Sequence, residues 1–254
     1  MSERISVLVP CGNSARVIED CLRSVTWADE ILVVDSFSTD GTLEIARRYA
    51  SRILQHEYVD SATQKNWAIP QVENDWLLIV DTDERVSDSL REEIEKILEE
   101  PGSFVGFKIP RLNHVWDQPL WYGGNYPDYQ LRLFRKDKGK YNNRRVHAHV
   151  LLDGHCGVIQ SHFIHLGQRD VDQVIHHLLG DFTTWEAEER YRQGKRFGLS
   201  SAISRPVAAF VYRYLYLSGF RDGTAGFLMA GFWAAYVFLT YAKIWEIQRR
   251  DLNH

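Results

Sequence analysis

The sequence is poor in cysteine, and its three cysteines do not form a recognisable set. Cys11, Cys21 and Cys156 are odd in number, and no two of them share a C-x-x-C spacing. This argues against a disulfide framework and against a zinc site, and it favours a reducing compartment. Positive charge is not in excess either, since 30 Lys and Arg stand against 34 Asp and Glu, a net charge of −4. A nucleic-acid-binding role, which needs a basic face, is not expected.

Several familiar motifs are also missing. No G-x-G-x-x-G follows the first apolar run, and the chain contains no Walker-type phosphate loop and no G-x-S-x-G elbow. Dinucleotide-binding, P-loop and nucleophile-elbow chemistries therefore lose their main support. The first apolar run, residues 5–10, is too short for a signal peptide and ends in proline, so no secretory leader is expected there.

What the sequence does contain is the alternation of an α/β protein. Of its 254 residues, 44% are hydrophobic and 25% are charged, which is typical of a folded chain. Apolar runs at 5–10, 31–34 and 75–80 alternate with helical patterns, and this alternation predicts a parallel sheet with crossover helices. An amphipathic helix is predicted over 88–100, and residues 104–165 are rich in strand and loop patterns.

The last third of the chain changes character. Residues 171–197 predict a long polar helix, and residues 223–242 are 20 consecutive positions without a charge. Gly226, Ala230 and Ala234 give that segment a face small enough for close helix contact. Two interpretations stay open: a buried helical hairpin, or helices that lie in a membrane interface. A true span, which needs about 20 apolar residues, is the less favoured form of the second.

Polar groups follow three of the predicted strands. Pro10 and Asn13 follow the first, Asp35 ends the second, and Asp81-Thr82-Asp83 follows the third. Ligands of an open parallel sheet bind beyond these strand ends. Carboxylates at this edge suit a sugar nucleotide and a hard divalent cation. The alternative for Asp81 and Asp83 is a helix-capping turn.

Two further groups have less specific patterns. His147 and His149 are two apart, which fits a metal pair but fits better the polar face of a half-buried strand. The aromatic cluster of Trp116, Trp121 and Tyr122 fits contact with the face of a sugar ring or with a lipid chain, and it fits packing in a hydrophobic core equally well.

Taken together, longer segments resemble a known family. ISVLVP, WADEILVVDSFSTDGTLEIARRYA, QKNWAI, DWLLIVDTDERVSDSLREEI and YPDYQLRLFRK resemble glycosyltransferase family 2, and more narrowly its bacterial branch of lipopolysaccharide-core β-1,4-glucosyltransferases. The resemblance implies a GT-A fold with a mostly parallel sheet and a C-terminal helical, apolar and aromatic extension. It implies a nucleotide-sugar-binding half over 1–100, an acceptor-binding half over 101–170, and a helical, membrane-associated region over 171–254.

The same resemblance implies roles for individual residues. Asp128, in YPDYQ, matches the carboxylate that the superfamily uses as catalytic base. Asp83 would bind Mg²⁺ or Mn²⁺, and His165 would add a metal or diphosphate contact. The donor pocket would be lined by Pro10, Asn13, Asp35, Ser38, Lys65 and Asp81, with Asp40 shaping the loop beside Ser38. Arg132 and Arg135 are candidates for a phosphate contact.

Three positions depart from the family pattern. Gly12-Asn13-Ser14 stands where Lys-Asn-Glu is frequent, so both charges are lost. Phe37 stands where glycine is usual, and Ala148 stands where glutamate is usual. The last change removes a carboxylate on the acceptor side and so predicts an acceptor that differs from the lipopolysaccharide-core heptose. It also draws attention to His147 and His149, which flank Ala148.

The expected function is metal-dependent, inverting transfer of a hexose, with glucose from UDP-glucose favoured by the resemblance. The acceptor is expected to be a hydroxyl of a lipid-linked or lipopolysaccharide-type glycan, and the enzyme to act in the cytoplasm as a peripheral protein of the inner membrane face. The alternatives are transfer to a polyprenyl phosphate and an inactive nucleotide-sugar-binding relative. Four retained carboxylates, Asp35, Asp81, Asp83 and Asp128, speak against the inactive relative.

Overall fold

The computed structural model describes residues 2–142, 149–167 and 170–251. His147 and Ala148 lie outside the described residues. The chain divides into two compact units, one formed by Met1–Arg111 with Asp128–His165, the other by Leu112–Pro127 with Leu166–His254. The assignment of donor and acceptor roles to residues 1–100 and 101–170 stays a prediction.

The first unit opens with the predicted parallel strands. They are β1 (Ile5–Cys11), β2 (Glu30–Asp35), β3 (Arg52–Gln55) and β4 (Trp76–Ile79), in the spatial order β3-β2-β1-β4 and all parallel. The helices between them are α1 (Ile18–Arg23), α2 (Thr42–Ala46) and α3 (Ser61–Ala68). Because the strands are parallel, their carboxyl ends meet at one edge of the sheet, which is where the predicted site residues lie.

Beyond β4 the sheet becomes mixed. The next elements are β5 (Glu84–Val86), α4 (Asp88–Glu99), β6 (Phe104–Val115), β7 (Gln118–Pro119), β8 (Asp128–Arg135), β9 (Gly139–Tyr141), β10 (Val150–Leu152), β11 (His155–Val158) and β12 (Phe163–Leu166). β8 runs antiparallel to both β4 and β6, and β12 runs antiparallel to β5. β9 and β10 form a separate two-stranded sheet. The antiparallel β8 therefore begins at the edge where β4 ends.

Both faces of the parallel part are covered. Val7 and Val9 of β1 pack with α1 and α4 on one face, while Leu8 packs with α3 on the other. Alternate side chains of a strand point to opposite faces, so strands buried on both sides need apolar residues at nearly every position. The largely apolar runs of the sequence have this origin.

The second unit is mainly helical. Its helices are α5 (Val171–Val174), a π-helical segment (Ile175–Asp181), α6 (Phe182–Arg192), α7 (Leu199–Val211), a π-helical turn (Tyr212–Tyr216), a 3₁₀ turn (Gly219–Asp222) and α8 (Gly223–Asp251). The prediction of one continuous helix over 171–197 is wrong, because the helical segment is interrupted and ends early. Gly180 adopts non-helical angles (φ −82°, ψ −113°), and α6 ends at Arg192. By length and composition alone, Gly219–Asp251 is apolar enough to cross a membrane.

α8 is held by the other helices of its unit. Gly226 lies so close to the preceding turn that a Cβ would overlap the Gly219 carbonyl oxygen, which explains the glycine at this position. Lys243 donates to the hydroxyls of Thr183 and Thr184 at the start of α6, both at 2.7 Å. The charge that ends the uncharged run therefore anchors α8 on α6.

These elements confirm the predicted fold class: an α/β GT-A arrangement followed by a helical C-terminal extension.

Candidate active site

Loops after β1 and β2 bring three predicted donor-pocket residues together. The Ser38 hydroxyl donates to the Asp35 carboxylate, and the Ser38 amide donates to the same carboxylate at 3.0 Å. The Asn13 amide donates to the Ser38 hydroxyl at 2.8 Å. Asp40 accepts from the amides of Ala15 and Thr42, at 3.2 and 3.0 Å. Asn13, Asp35 and Ser38 thus form one hydrogen-bonded unit, and Asp40 ties its loop to the start of α2.

Asp35 is fully buried in this unit. Besides Ser38, its carboxylate accepts from the side-chain amide of Gln55 at 3.0 Å and from the thiol of Cys11 at 3.7 Å. Burial, reinforced by the Asp35 charge, raises the pKa of the Cys11 thiol. Pro10, half-buried, precedes Cys11 at the same edge. Asp35 therefore shapes the loop directly.

Phe37, the residue at the family's glycine position, keeps a glycine-like backbone. Its φ is +55°, in the left-handed region that costs a bulky residue about 1–2 kcal/mol. Its ring is 57% exposed. The loop therefore retains the turn that glycine would allow and adds an exposed aromatic ring at this edge of the sheet.

α3 connects the ends of β2 and β4. Its N-cap Asp60 accepts from the Thr63 amide at 2.8 Å. The next turn carries Gln64, whose amide donates to the Ser36 hydroxyl at 2.6 Å, and Lys65, whose Nζ lies 2.8 Å from Asp81 Oδ1. Lys65 is buried, so its charge is directed to Asp81 rather than to solvent.

Asp81 is enclosed by two cations. Lys65 meets one of its oxygens, and the guanidinium of Arg132 meets the other. Burial would raise the pKa of Asp81, but the facing charges of Arg132 and Lys65 outweigh that effect and hold it well below its usual range. Asp81 is therefore ionised, and its carboxylate is occupied by protein cations. It does not cap a helix.

The antiparallel strand β8 brings the predicted base to the same edge. Leu78 of β4 pairs with Leu133, so the residues that precede Leu133 lie beyond the end of β4. Asp128 pairs with Arg111 of β6, whose Nε and Nη2 donate to Asp128 Oδ2 at 2.9 and 2.5 Å. The other oxygen accepts from Gln130 Nε2 at 2.8 Å. Asp128 is thereby oriented at both oxygens while its side chain remains about one-third exposed.

Glu84 joins the two halves of the site, and the sequence analysis did not single it out. Its carboxylate is fully buried. Oε1 lies 3.1 Å from Arg132 Nη2 and 3.5 Å from Arg111 Nη1, and Oε2 accepts from the Asp81 amide at 2.9 Å. The sequence offered one sign of a functional role for Glu84, its position directly after the D-x-D triplet. Arg111 lies inside a strand pattern, which offered no such sign.

The resulting row of alternating charges is called the charge row here. It consists, in order, of Lys65, Asp81, Arg132, Glu84, Arg111 and Asp128. Every charge in it faces an opposite charge, so the row stabilises ionised groups that burial alone would disfavour.

The two predicted metal ligands lie beside the charge row. Asp83 Oδ2 is 3.4 Å from His165 Nε2, and Asp83 is partly exposed. His165 pairs with Glu84 in the β12–β5 ladder, which fixes its position. Within residues 2–142, 149–167 and 170–251, no group of three or more His, Cys, Asp or Glu forms a metal cluster. Mg²⁺ is commonly held by one or two carboxylates together with substrate phosphates, so Asp83 with His165 fits a cation shared with a diphosphate.

Other candidates lie elsewhere. Arg135 lies at the opposite end of β8, where it meets Asp75 at 3.2 Å, so it does not join the charge row. His149 is exposed, and its ring contacts the Asn142 amide at 3.0 Å. Trp116 belongs to the apolar cluster of the second unit and contacts Phe232, with ring centroids 6.3 Å apart. For Trp116, core packing is the interpretation that the structure supports.

Comparison with known sequences assigns the segment that carries this site to a family. The profile of "Glycosyl transferase family 2" matches residues 6–167, which hold every residue of the charge row. The chain belongs to glycosyltransferase family 2. It is a glycosyltransferase, and the family resemblance predicted from its sequence is confirmed.

Its relatives among known proteins are other glycosyltransferases. The lipopolysaccharide core biosynthesis glycosyltransferase LpsC of Rhizobium meliloti is 28% identical over 95% of this chain and 92% of its own. An uncharacterised glycosyltransferase of Rickettsia typhi is 23% identical over 99% of this chain and 90% of its own.

Solved structures give weaker likenesses. Staphylococcus aureus TarS (residues 1–349) covers 98% of this chain and 92% of that one, at 16% identity and a TM-score of 0.45. Glucosyl-3-phosphoglycerate synthase of Mycobacterium tuberculosis, solved with Mn²⁺, UDP and glucosyl-3-phosphoglycerate, covers 44% of each chain at 19% identity and a TM-score of 0.36.

Proposed function

We propose that this glycosyltransferase moves a hexose from a nucleotide diphosphosugar to a hydroxyl of a lipid-linked or lipopolysaccharide-type glycan, with inversion at the anomeric carbon. The observation that carries the proposal is the charge row, because it joins Asp128, the candidate base, to Asp81 at the donor side through Glu84. An inverting transfer needs one base on the acceptor side and stabilisation of the leaving diphosphate on the other.

Asp128 is suited to receive the proton of the acceptor hydroxyl. A sugar hydroxyl is a weak nucleophile until its proton is removed in the transition state, and a positioned base contributes roughly 10²–10⁴-fold. Arg111 and Gln130 hold the two carboxylate oxygens of Asp128, so its orientation does not depend on substrate. A carboxylate held in place avoids the entropic cost of ordering it during the reaction.

On the donor side, Asp83 and His165 would hold Mg²⁺ or Mn²⁺. When bound, such a cation stabilises the negative charge of the leaving diphosphate. Asp81 would serve the ribose side, held by Lys65 and Arg132. The loop of Asn13, Asp35 and Ser38, with Pro10 beside it, would form the nucleoside end of the pocket.

The finer assignments rest on relatives. LpsC acts in lipopolysaccharide core biosynthesis, which supports a glycan acceptor of that kind. UDP, and glucose as the sugar, come from the family resemblance, and UDP with Mn²⁺ is bound by the synthase of M. tuberculosis. Because such acceptors are lipid-anchored, we propose a cytoplasmic protein that lies peripherally on the inner membrane face.

A test of the base uses a matched pair of substitutions. Asp128→Asn is expected to lower transfer at least about 10²-fold, because the proton acceptor is lost. Nucleotide binding should stay near normal, because an amide oxygen can still accept from Arg111, which also keeps Glu84 as a partner. Asp29→Asn is the control, since Asp29 is an equally exposed carboxylate paired with Arg4, at 3.2 Å, at the other end of the sheet. Transfer would be measured as UDP release from the best donor. Near-normal turnover by Asp128→Asn would show that the base is another group.

The cation site has its own test. Asp83→Ala is expected to weaken nucleotide binding in the presence of Mn²⁺ and to abolish its dependence on the cation. Asp75→Ala, which removes an exposed carboxylate at the opposite end of the sheet, should change neither. The readout is calorimetric UDP binding with and without chelator, and cation-independent binding by the unaltered protein would refute the assignment.

The donor and the alternatives can be separated in one experiment. A panel of nucleotide sugars is screened for cation-dependent thermal stabilisation, and the best donor is then offered a core-type glycan or a bare polyprenyl phosphate. Product on the lipid phosphate alone would favour the polyprenyl-phosphate alternative. Donor binding without turnover on either acceptor would favour an inactive relative.

A further inference from the structure

The outer face of α7 carries an aliphatic residue at every turn. Exposed side chains recur every four residues along α7 and the following π turn, and a large aliphatic side chain stands at the first position of each exposed group. These aliphatic residues are between 45% and 68% exposed: Leu199, Ile203, Val207, Val211 and Leu215. We call these five residues, with Tyr212 and Tyr216, the α7 face.

The α7 face is continuous rather than scattered. Tyr212 and Tyr216 stack with ring centroids 5.2 Å apart, and they lie at the end of the aliphatic row. Single exposed apolar residues are ordinary in soluble proteins, whereas a row of this length marks an interaction surface.

The segment that carries the α7 face has charge of one sign. Residues 190–221 contain no Asp or Glu, and their basic residues are Arg190, Arg192, Lys195, Arg196, Arg205, Arg213 and Arg221. Some of these are used internally: Arg190 and Arg192 pair with glutamates of α6, and Arg213 donates to the Gly123 carbonyl at 2.7 Å. Lys195, Arg196, Arg205 and Arg221 are exposed. Exposed cations thus precede, accompany and follow the apolar row.

We propose that the α7 face lies in the interface of a negatively charged lipid bilayer. This inference rests on the proposed peripheral membrane location and names the surface that provides it. Aliphatic side chains would enter the acyl boundary, the two tyrosines would lie at headgroup level, and the exposed cations would meet lipid phosphates. A second copy of the chain is a poorer occupant, because a two-fold contact would bring this one-sign segment against itself.

The contacts of α8 indicate that the unit lies on the bilayer rather than crosses it. α8 packs along α6, and α6 carries ion pairs such as Glu186–Arg190 at 2.6 Å. Lys243 of α8 donates to Thr183 and Thr184 of α6. Insertion of α8 across the hydrocarbon core would either strip away α6 or bury its charges, and charged side chains are costly there.

The first test measures binding of the purified full chain to vesicles. Vesicles of phosphatidylcholine with about one-third phosphatidylglycerol are sedimented, and the bound fraction gives a partition coefficient. Ile203→Gln with Val207→Gln is expected to lower it at least about tenfold, because two largely exposed aliphatic groups no longer enter lipid. The control, Val59→Gln with Leu151→Gln, removes comparably exposed aliphatic groups from the first unit and should leave binding unchanged.

The second test addresses the charges. Lys195→Gln with Arg196→Gln is expected to weaken binding to the anionic vesicles about tenfold or more, and pure phosphatidylcholine vesicles should bind weakly from the start. Binding should also fall with salt. Equal binding to neutral and anionic vesicles, or no binding to either, would overturn the proposal.

Two further outcomes would also overturn it. A dimer in solution that dissociates in Ile203→Gln with Val207→Gln would assign the α7 face to self-association. Retention in membranes through an alkaline wash would mean that α8 spans the bilayer.

UDP binding measured without vesicles separates this inference from the proposed function. Normal UDP binding without vesicle binding would refute only the proposed membrane role of the α7 face. Vesicle binding without nucleotide binding or transfer would refute only the proposed reaction.

Discussion

Glu84→Gln tests whether the charge row is catalytically relevant or merely structural. The substitution keeps the shape but removes the buried negative charge between Arg132 and Arg111. It also replaces one of the two acceptor oxygens by an NH₂ group, so glutamine cannot accept both from the arginines and from the Asp81 backbone amide. A charged hydrogen bond contributes about 1.5–3 kcal/mol. One contact here is short (3.1 Å) and the other long (3.5 Å), and both arginines keep a second carboxylate, so we expect a loss of about 2–3 kcal/mol. For a chain of this size that lowers Tm by about 5–10 °C.

Activity should fall further than stability explains. Without the Glu84 charge, Arg111 and Arg132 are no longer fixed relative to each other. Asp128 and Asp81, which these two arginines bind, are then less firmly positioned relative to each other. We expect kcat for transfer to fall about 10–100-fold with UDP affinity changed less than about threefold, since a misplaced catalytic group affects the transition state most.

Glu30→Gln is the matched control. Glu30 is also buried, and it binds Arg52 at 3.0 Å, the Ser6 hydroxyl and the Glu73 amide, but it lies at the start of β2. The Tm of Glu30→Gln should fall by a similar amount, and this variant should retain transfer when it is assayed below its own unfolding temperature range. If Glu84→Gln transfers sugar as fast as Glu30→Gln, the charge row has no catalytic role.

Two predictions concern stability. Asp81 has a depressed pKa in the folded state, so its stabilising effect is complete above its unfolded pKa of about 3.9 and is lost as pH falls below that value towards the folded pKa. The Tm difference between the unaltered chain and Asp81→Asn should therefore be large at pH 7 and shrink progressively as pH falls below about 4. A gap that is the same at pH 7 and below about pH 3 would contradict the ion pairs. Gly226→Ala should lower the free energy of unfolding by more than about 2 kcal/mol, because the added Cβ would overlap the Gly219 carbonyl. Gly231→Ala should raise it by up to about 1 kcal/mol, because a Cβ at position 231 meets open space and alanine favours the helix. Equal denaturation midpoints for the two variants would contradict this packing.

The sequence predicted best those elements whose pattern has one dominant period. Strands β1, β2 and β4 are apolar at nearly every position. α4 has an apolar stripe and the N-cap Ser87, whose hydroxyl accepts from the Leu90 amide at 3.3 Å. β3 and α3 were not predicted. β3 is an edge strand of half-buried residues, and α3 carries buried polar residues, Gln64 and Lys65, which blur any stripe. The break at Gly180 was missed because an isolated glycine is tolerated within many helices.

The site shows a similar division. Residues at the ends of parallel strands were found because the fold itself brings those ends together. Glu84 and Arg111 were not found, since their roles depend on antiparallel register between segments far apart in sequence. Lys65 was placed at the donor, but its burial against Asp81 follows from how α3 packs, which the sequence does not reveal.

The D-x-D triplet divides its two carboxylates between different tasks. In an extended strand, residues two apart face the same side. Here a turn intervenes, because the Glu84 amide donates to the Asp81 carbonyl at 2.9 Å, and the two side chains meet different partners. Asp81 faces Lys65 and Arg132, whose charges already offset its own and would repel a dication placed against it. Asp83, partly exposed beside His165, has no such cationic cage among the described residues. Electrostatics therefore favours Asp83 over Asp81 as the ligand of the proposed cation, and Asp81 is left as an anion fixed by Lys65 and Arg132.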